Sequence, residues 1–246
     1  MFNKKIKLTA FTCENDIFIN DKPTYNKSGS IDWIRNLKPT YKEFSENQGG
    51  YEYDVPTARL CPGIQNYVSR GIKSTFWMNL TVRILPDGGV IELHGVNPRG
   101  TIDPEPFGQH DRRQYEHLYQ RNKTAFKLTS PWLFECKEKI DFLLTESHYS
   151  THFWRENNLL LSPAIIDYKY QHSTNVHVIA DIKKEPYDIT IPYGTPLLTY
   201  YPLTDREIDL ECKLVSRDKY IDVQRHFPRC PMAKYTQHIK NLTRKD

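Results

Sequence analysis

The chain has 246 residues, 38% of them hydrophobic, with 16 Tyr and 11 Phe to supply large buried areas. Its 34 basic and 30 acidic residues leave a formal charge of +4, too mild for a dedicated nucleic-acid binder, and no apolar run is long enough to predict a membrane-spanning helix. A length of this order suits one all-β sandwich or barrel, and 16 Pro against 11 Gly, spread along the chain, suit short strands cut by turns. The basic start, Met1 to Thr9, lacks a following apolar segment, so no secretory signal is predicted. Cys13, Cys61, Cys136, Cys212 and Cys230 show no Cys-x-x-Cys spacing and read as small buried thiols in a reducing compartment.

In chain order, Ile6 to Phe11 and Ile17 to Ile19 read as short strands. Ser30 can cap a short helix carrying Ile31, Ile34 and Leu37 on its apolar face, ended by Pro39. Residues 45–57 are polar and aromatic and read as a loop. Pro62 opens a helix with Ile64, Tyr67 and Val68, and Gly71 is placed for a left-handed cap. Lys73 to Leu85 alternates as one long strand, Asp87-Gly88-Gly89 turns it, and Val90 to His94 returns. Residues 95–122 predict a long polar excursion with a helical turn at Tyr115 to Tyr119.

Strands resume at Ala125 to Leu128, Trp132 to Cys136, Ile140 to Leu144, Leu159 to Tyr168 and Val176 to Ile182. Tyr187 to Ile191, then Pro192-Tyr-Gly-Thr, then Leu197 to Leu203 reads as strand, tight turn and return strand. Ile208 to Leu214 alternates apolar with charged residues, a half-exposed strand. Past these, residues 220–246 predict an amphipathic arm whose stripe is Met232, Tyr235, Ile239 and Leu242. The pattern predicts a single mainly β domain over 1–246, a jelly-roll or cupin-like β-sandwich with a few peripheral helices.

The turn Pro192-x-Gly194-x-x-Leu197 resembles a hairpin of metal-binding cupins in which the last position is a His ligand. Leu197 stands there, which keeps the fold marker and removes the ligand. His148 and His152 are spaced four apart near Glu146, but Ser150, Thr151 and Pro163 predict a loop rather than a metal-binding helix face. His172 and His177, five apart, would face opposite sides of a strand. His-x-Asp/Glu and His-x-His are absent, so no metal and no cofactor is expected. Gln109-His110-Asp111 reads as loop. The basic run from Arg112 to Lys127, with Tyr115 and Tyr119 interleaved, has the composition of a phosphate-gripping, base-stacking segment, or of a solvated loop.

Residues 130–214 resemble a family of uncharacterised proteins of tailed bacteriophages, often marine, with distant bacterial relatives. The carrying segments are Ser130 to Phe134, Ile140 to Leu144, Ala164 to Tyr168, Asn175, Ile191 to Pro196, Tyr201-Pro202-Leu203 and Arg206. Upstream, Arg59-Leu-Cys-Pro62 with Gly71 resembles the family's Cys-Pro helix. His148 to His152 and Ala164 depart from the pattern. Arg59, Asp167, Asn175 and Arg206 are the matching polar residues, readable as a shared pocket or as turn ties and an ion pair.

The resemblance implies a phage source and supplies no mechanism; the leading expectation is a non-enzymatic protein acting through a protein partner or self-association, in the virion or the cytoplasm of an infected host, with no membrane role. Two alternatives stay open. One is a cupin-like iron and 2-oxoglutarate-type oxygenase drawing ligands from His94, His148, His152, His172 and His177. The other is a nucleic-acid-binding accessory protein.

Overall fold

Alternating apolar and polar side chains build most of the strands, and Gly, Pro and Asp punctuate them. The computed structural model describes residues 5–26, 32–45, 50–96, 107–110, 112–147 and 153–229. Strand β1 (Ile6–Thr12) leads to α1 (Asn15–Asn20), β2 (Thr24–Tyr25) and α2 (Asp32–Asn36). A ribbon of β3 (Thr40–Ser45) and β4 (Tyr51–Pro56) precedes α3 (Pro62–Arg70). Next come β5 (Ile72–Thr75), β6 (Asn79–Ile84), β7 (Val90–Val96), β8 (Phe107–Gln109) and α4 (Glu116–Tyr119). The long β9 (Lys123–Cys136) is followed by β10 (Asp141–Glu146), α5 (Phe153–Glu156), β11 (Leu160–Leu161) and β12 (Ala164–Asp167). The chain continues through β13 (Ser173–Asp181), β14 (Tyr187–Ile191), β15 (Pro196–Pro202), β16 (Ile208–Leu214) and α6 (Arg217–Arg229).

The protein is mainly β, with several sheets. A six-stranded sheet runs β11-β13-β9-β1-β16, with β8 also on β9; a five-stranded sheet runs β12-β10-β15-β5-β2; β14-β6-β7 form a third sheet. These three share one apolar core that joins, among others, Leu8 and Phe134 to Phe142 and Tyr200 and to Leu80 and Ile189. Strand β1 is antiparallel to β9 and parallel to β16. Pro131 lies inside β9 and has no N–H for the ladder. The register against β13 slips between the Thr129–Asn175 and Leu133–Ser173 pairs, which accommodates it. No helix among the described residues is long and apolar enough to cross a membrane.

The predicted hairpin at 187–203 is corrected. A turn does close, with the Thr195 N–H donating to the Pro192 carbonyl at 3.2 Å and Gly194 at φ +80°. Yet β14 pairs with β6, whereas β15 pairs with β10 and β5. The chain therefore passes from one sheet to another. The predicted strand from Lys73 to Leu85 does the same: it breaks at Phe76–Met78, between β5 and β6. The two crossings lie side by side, because Gly194 N–H donates to the Phe76 carbonyl and Phe76 N–H to the Thr195 carbonyl, each at 2.7 Å. Together they form one long antiparallel ribbon bent between two sheets. Trp77 is buried at the bend beside Phe76 and Met78.

Other expectations are also revised. Ile17 to Ile19 lies in α1, since three consecutive apolar residues carry no period of two. Residues 51–56, expected as loop, form β4 paired with β3. Ala125 to Leu128 and Trp132 to Cys136 are one strand, and Leu159 to Tyr168 splits into β11 and β12. Gly71 has φ −77°, not a left-handed cap; an added Cβ would lie 2.3 Å from the Thr199 methyl, so the residue is small for lack of space. Cys136 is buried, but Cys61 is exposed. Helix α6 starts before the predicted arm, and the Met232 to Leu242 stripe, Cys230, Ser30, Ile31, His148 and His152 lie outside the described residues.

Candidate functional site

The four polar residues of the expected pocket occupy three places. Arg59, exposed in a short 3-10 turn, donates from Nη1 to the Leu37 carbonyl at 2.9 Å. Asp167 ends β12; its Oδ1 accepts from Lys169 N–H at 3.0 Å, and its carbonyl accepts from the Tyr170 and Gln171 N–H groups. Arg206 grips Glu138 with two bonds, at 2.6 and 3.1 Å. Asp167 and Arg206 are brought near one another: both act electrostatically on Cys136, whose thiol burial pushes up. Asn175 lies apart on the outer face of β13, accepting from Thr129 Oγ1 at 3.2 Å.

Two residues along from Asn175 on that face is His177, at the centre of an arrangement the sequence did not announce. His177 stands opposite Lys127 on β9, and β8 pairs with β9 beside it. This brings His110 against His177, ring centroids 4.4 Å apart and 75° inclined. Tyr115 packs edge-on to both, at 5.0 Å from His110 and 5.8 Å from His177. Burial pushes the Tyr115 hydroxyl up, and this hydroxyl hydrogen-bonds His177 Nδ1. Burial, with the neighbouring His110 and Lys127, holds His177 below its ordinary value of 6.5. His110 Nδ1 donates to Gln114 Oε1 at 2.8 Å, and its buried Nε2 has no hydrogen-bond partner among the described residues. His110 had read as a loop residue; its place depends on three strands that no local pattern connects.

A pH dependence follows. Because the folded state holds His177 below the unfolded value of 6.5, the unfolded chain binds more protons as pH falls through that value. Stability is expected to be flat above neutrality and to decline between pH 7 and 5.5. Urea unfolding at the two ends of that range checks this, and His177→Asn should flatten the slope.

Of the expected ligand pool, the other described histidines, His94 and His172, stand apart from this group. His94 is exposed opposite Thr81 in the β6–β7 pair, and His172 Nδ1 bonds the Phe134 carbonyl at 2.9 Å. Among the described residues no group of three or more His, Cys, Asp or Glu is arranged to hold a metal. In the basic stretch, Tyr115 is committed to His177, and the Tyr119 hydroxyl bonds Thr124 Oγ1 at 3.0 Å and the Gly88 carbonyl at 3.4 Å.

A third feature is the ribbon β3–β4, which pairs with no other sheet among the described residues. Its register places Tyr41 opposite Val55, Glu43 opposite Tyr53 and Ser45 opposite Tyr51, so three tyrosines share one face. Tyr41 and Tyr51 are 51% and 52% exposed, and the Tyr51 and Tyr53 rings meet edge-on at 6.5 Å. The other face carries Phe44, 60% exposed, and the Lys42–Asp54 ion pair at 3.3 Å. At its base Thr57 N–H donates to the Pro39 carbonyl. Compared with known proteins, the chain matches no protein-family model and no curated protein sequence.

Proposed function

We propose that this protein is a non-enzymatic β-rich binding protein that acts through protein contacts, the tyrosine face of the β3–β4 ribbon docking on a second copy of the chain. The ribbon carries the reading. A two-stranded ribbon alone is marginally stable in water, and large exposed aromatic side chains mark contact surfaces. A twofold contact between two such faces would cover both with the same residues. The bent ribbon that joins two sheets over one core supports a jelly-roll-derived sandwich, to which the parallel β1–β16 pair is an addition. The resemblance of residues 130–214 to tailed-phage proteins supports a role as a virion component or a host-directed factor, in the virion or the infected cell.

The double variant Tyr41→Ser, Tyr51→Ser tests the contact. Each tyrosine is half exposed and contributes about 0.2–1 kcal/mol to the ribbon, so the variant should keep the melting temperature to within a few degrees. Sedimentation equilibrium should show a dimer or larger assembly for the native chain and a monomer for the variant. A native chain that sediments as a monomer at all concentrations would reject self-association through this face.

A further inference from the structure

We infer that the groove between α6 and the outer face of β1 binds a small anionic amphiphile, a ligand with a phosphate or carboxylate head and an apolar tail. The groove has a volume of about 650 Å³, within the range of small-molecule sites. Its chemistry is graded along β1. Ile6, Leu8 and Ala10 point into the core, so Lys5, Lys7, Thr9 and Phe11 line the groove in that order, from charged to apolar.

The apolar end is a separate small cluster. Phe11, Leu133 and Tyr220 are buried there, with Val215 and Val223 packed against them. Val215 lies just before α6, and Lys219 and Val223, four apart, bring one side of that helix to the groove. A lysine is therefore built into the apolar wall.

The cationic end is only partly compensated. Lys5 pairs with Glu207 at 3.1 Å, while Lys7 and Lys213 share the single carboxylate of Glu211 at 2.8 and 3.0 Å. Lys137 and Lys219 also line the groove and form no ion pair among the described residues. Of the two lining glutamates, Glu138 is committed to Arg206, which leaves Glu135 as the opposing charge. The lining thus holds five lysines against two glutamates. An anionic head meets unspent ammonium groups, and a tail reaches the Phe11, Val215 and Val223 end. The apolar surface lies at the floor of a concavity rather than on a flat face, which fits a free amphiphile better than a headgroup embedded in a bilayer.

Isothermal titration with decyl phosphate, below its micelle concentration, tests the site. The expected result is one-to-one binding, with inorganic phosphate and decyl maltoside each weaker by about tenfold or more, because head and tail contribute separately. Lys137→Glu with Lys219→Glu should weaken decyl phosphate by at least about tenfold, while Lys184→Glu, on a distant loop, should not. All these lysines are exposed, and an unchanged melting temperature confirms folding. The inference is overturned if the double variant binds as the native chain does, or if decyl maltoside binds as tightly as decyl phosphate. It is equally overturned if phosphatidylglycerol vesicles bind and decyl phosphate does not, which would assign the lysines to a membrane surface.

Discussion

Replacing Trp132 by Ala is expected to lower the unfolding free energy by about 3–5 kcal/mol, a large share of the roughly 5–15 kcal/mol that holds a typical domain folded. The indole is 2% exposed and belongs to the core shared by three sheets. It follows Pro131 at the register slip of β9, and its own N–H is satisfied locally by Ser130 Oγ at 3.1 Å. The indole N–H donates to the Asp21 carbonyl at 3.0 Å, beyond the end of α1. The Asp21 carboxylate in turn accepts from the Tyr193 hydroxyl at 2.6 Å, in the turn that joins β14 to β15.

Trp132 therefore fastens the long strand, the first helix and the sheet-to-sheet crossing at one point. Ala leaves a cavity and strips the Asp21 carbonyl of its donor. Trp132→Phe keeps most of the volume but loses the N–H and part of the ring, so it should cost less than Ala, about 1–3 kcal/mol. Urea midpoints for the three proteins decide the matter. An Ala variant within 1 kcal/mol of the native chain would mean that the bend is held by other contacts.

Much of the sheet was legible because one side of each strand is wet. In β13, Thr174, Val176, Val178 and Ala180 are buried while Ser173, Asn175, His177 and Ile179 are half-exposed, and the period of two is visible in the letters. The same holds for β6 and β10. Legibility failed where both neighbours of a residue are buried. Phe76, Trp77 and Met78 continue the apolar pattern of a strand while the backbone leaves one sheet for another. It failed again where no burial guides the pattern: the ribbon strand β4 is polar and aromatic, and its identity comes from pairing with β3 alone.

The candidate sites were less legible than the sheets for a physical reason. Each is made by strands that are neighbours in space and distant in sequence. Asp167 and Arg206 were singled out together, and the fold does bring both close to Cys136, yet their bonds tie a turn and a strand start. His110, Tyr115 and His177 come together only because β8 and β13 both pair with β9. The groove needs β1 beside β16, a parallel pair that alternation cannot reveal. The charged outer face of Ile208 to Leu214 was visible; that it would share Glu211 between Lys7 and Lys213 was not.

Leu197 carries the second large effect. In the resemblance of this turn to a cupin hairpin it holds the place of a His ligand, and it is 1% exposed in the core. The register of β15 against β5 shifts between Pro196 and Leu198, so Leu197 occupies the irregularity. Leu197, Leu198, Thr199 and Tyr200 are buried in succession, so both faces of β15 are covered here and Leu197 and Leu198, adjacent in sequence, both lie inside. Pro196, just before it, accepts from the Trp154 indole N–H at 2.8 Å, which fixes the backbone at the bulge. The side chain has no freedom to turn to solvent. Leu197→Ala should cost about 2–5 kcal/mol, and Leu197→Met less than about 1.5 kcal/mol, since the volume is kept. Leu197→His should cost at least as much as Ala, because it loses apolar burial and places an imidazole N–H in an apolar core. Urea midpoints in the order native, Met, Ala, His check the series. If His were tolerated as well as Met, the position would be an open mouth with water in it, and Leu197 would be a replaced ligand rather than a core residue.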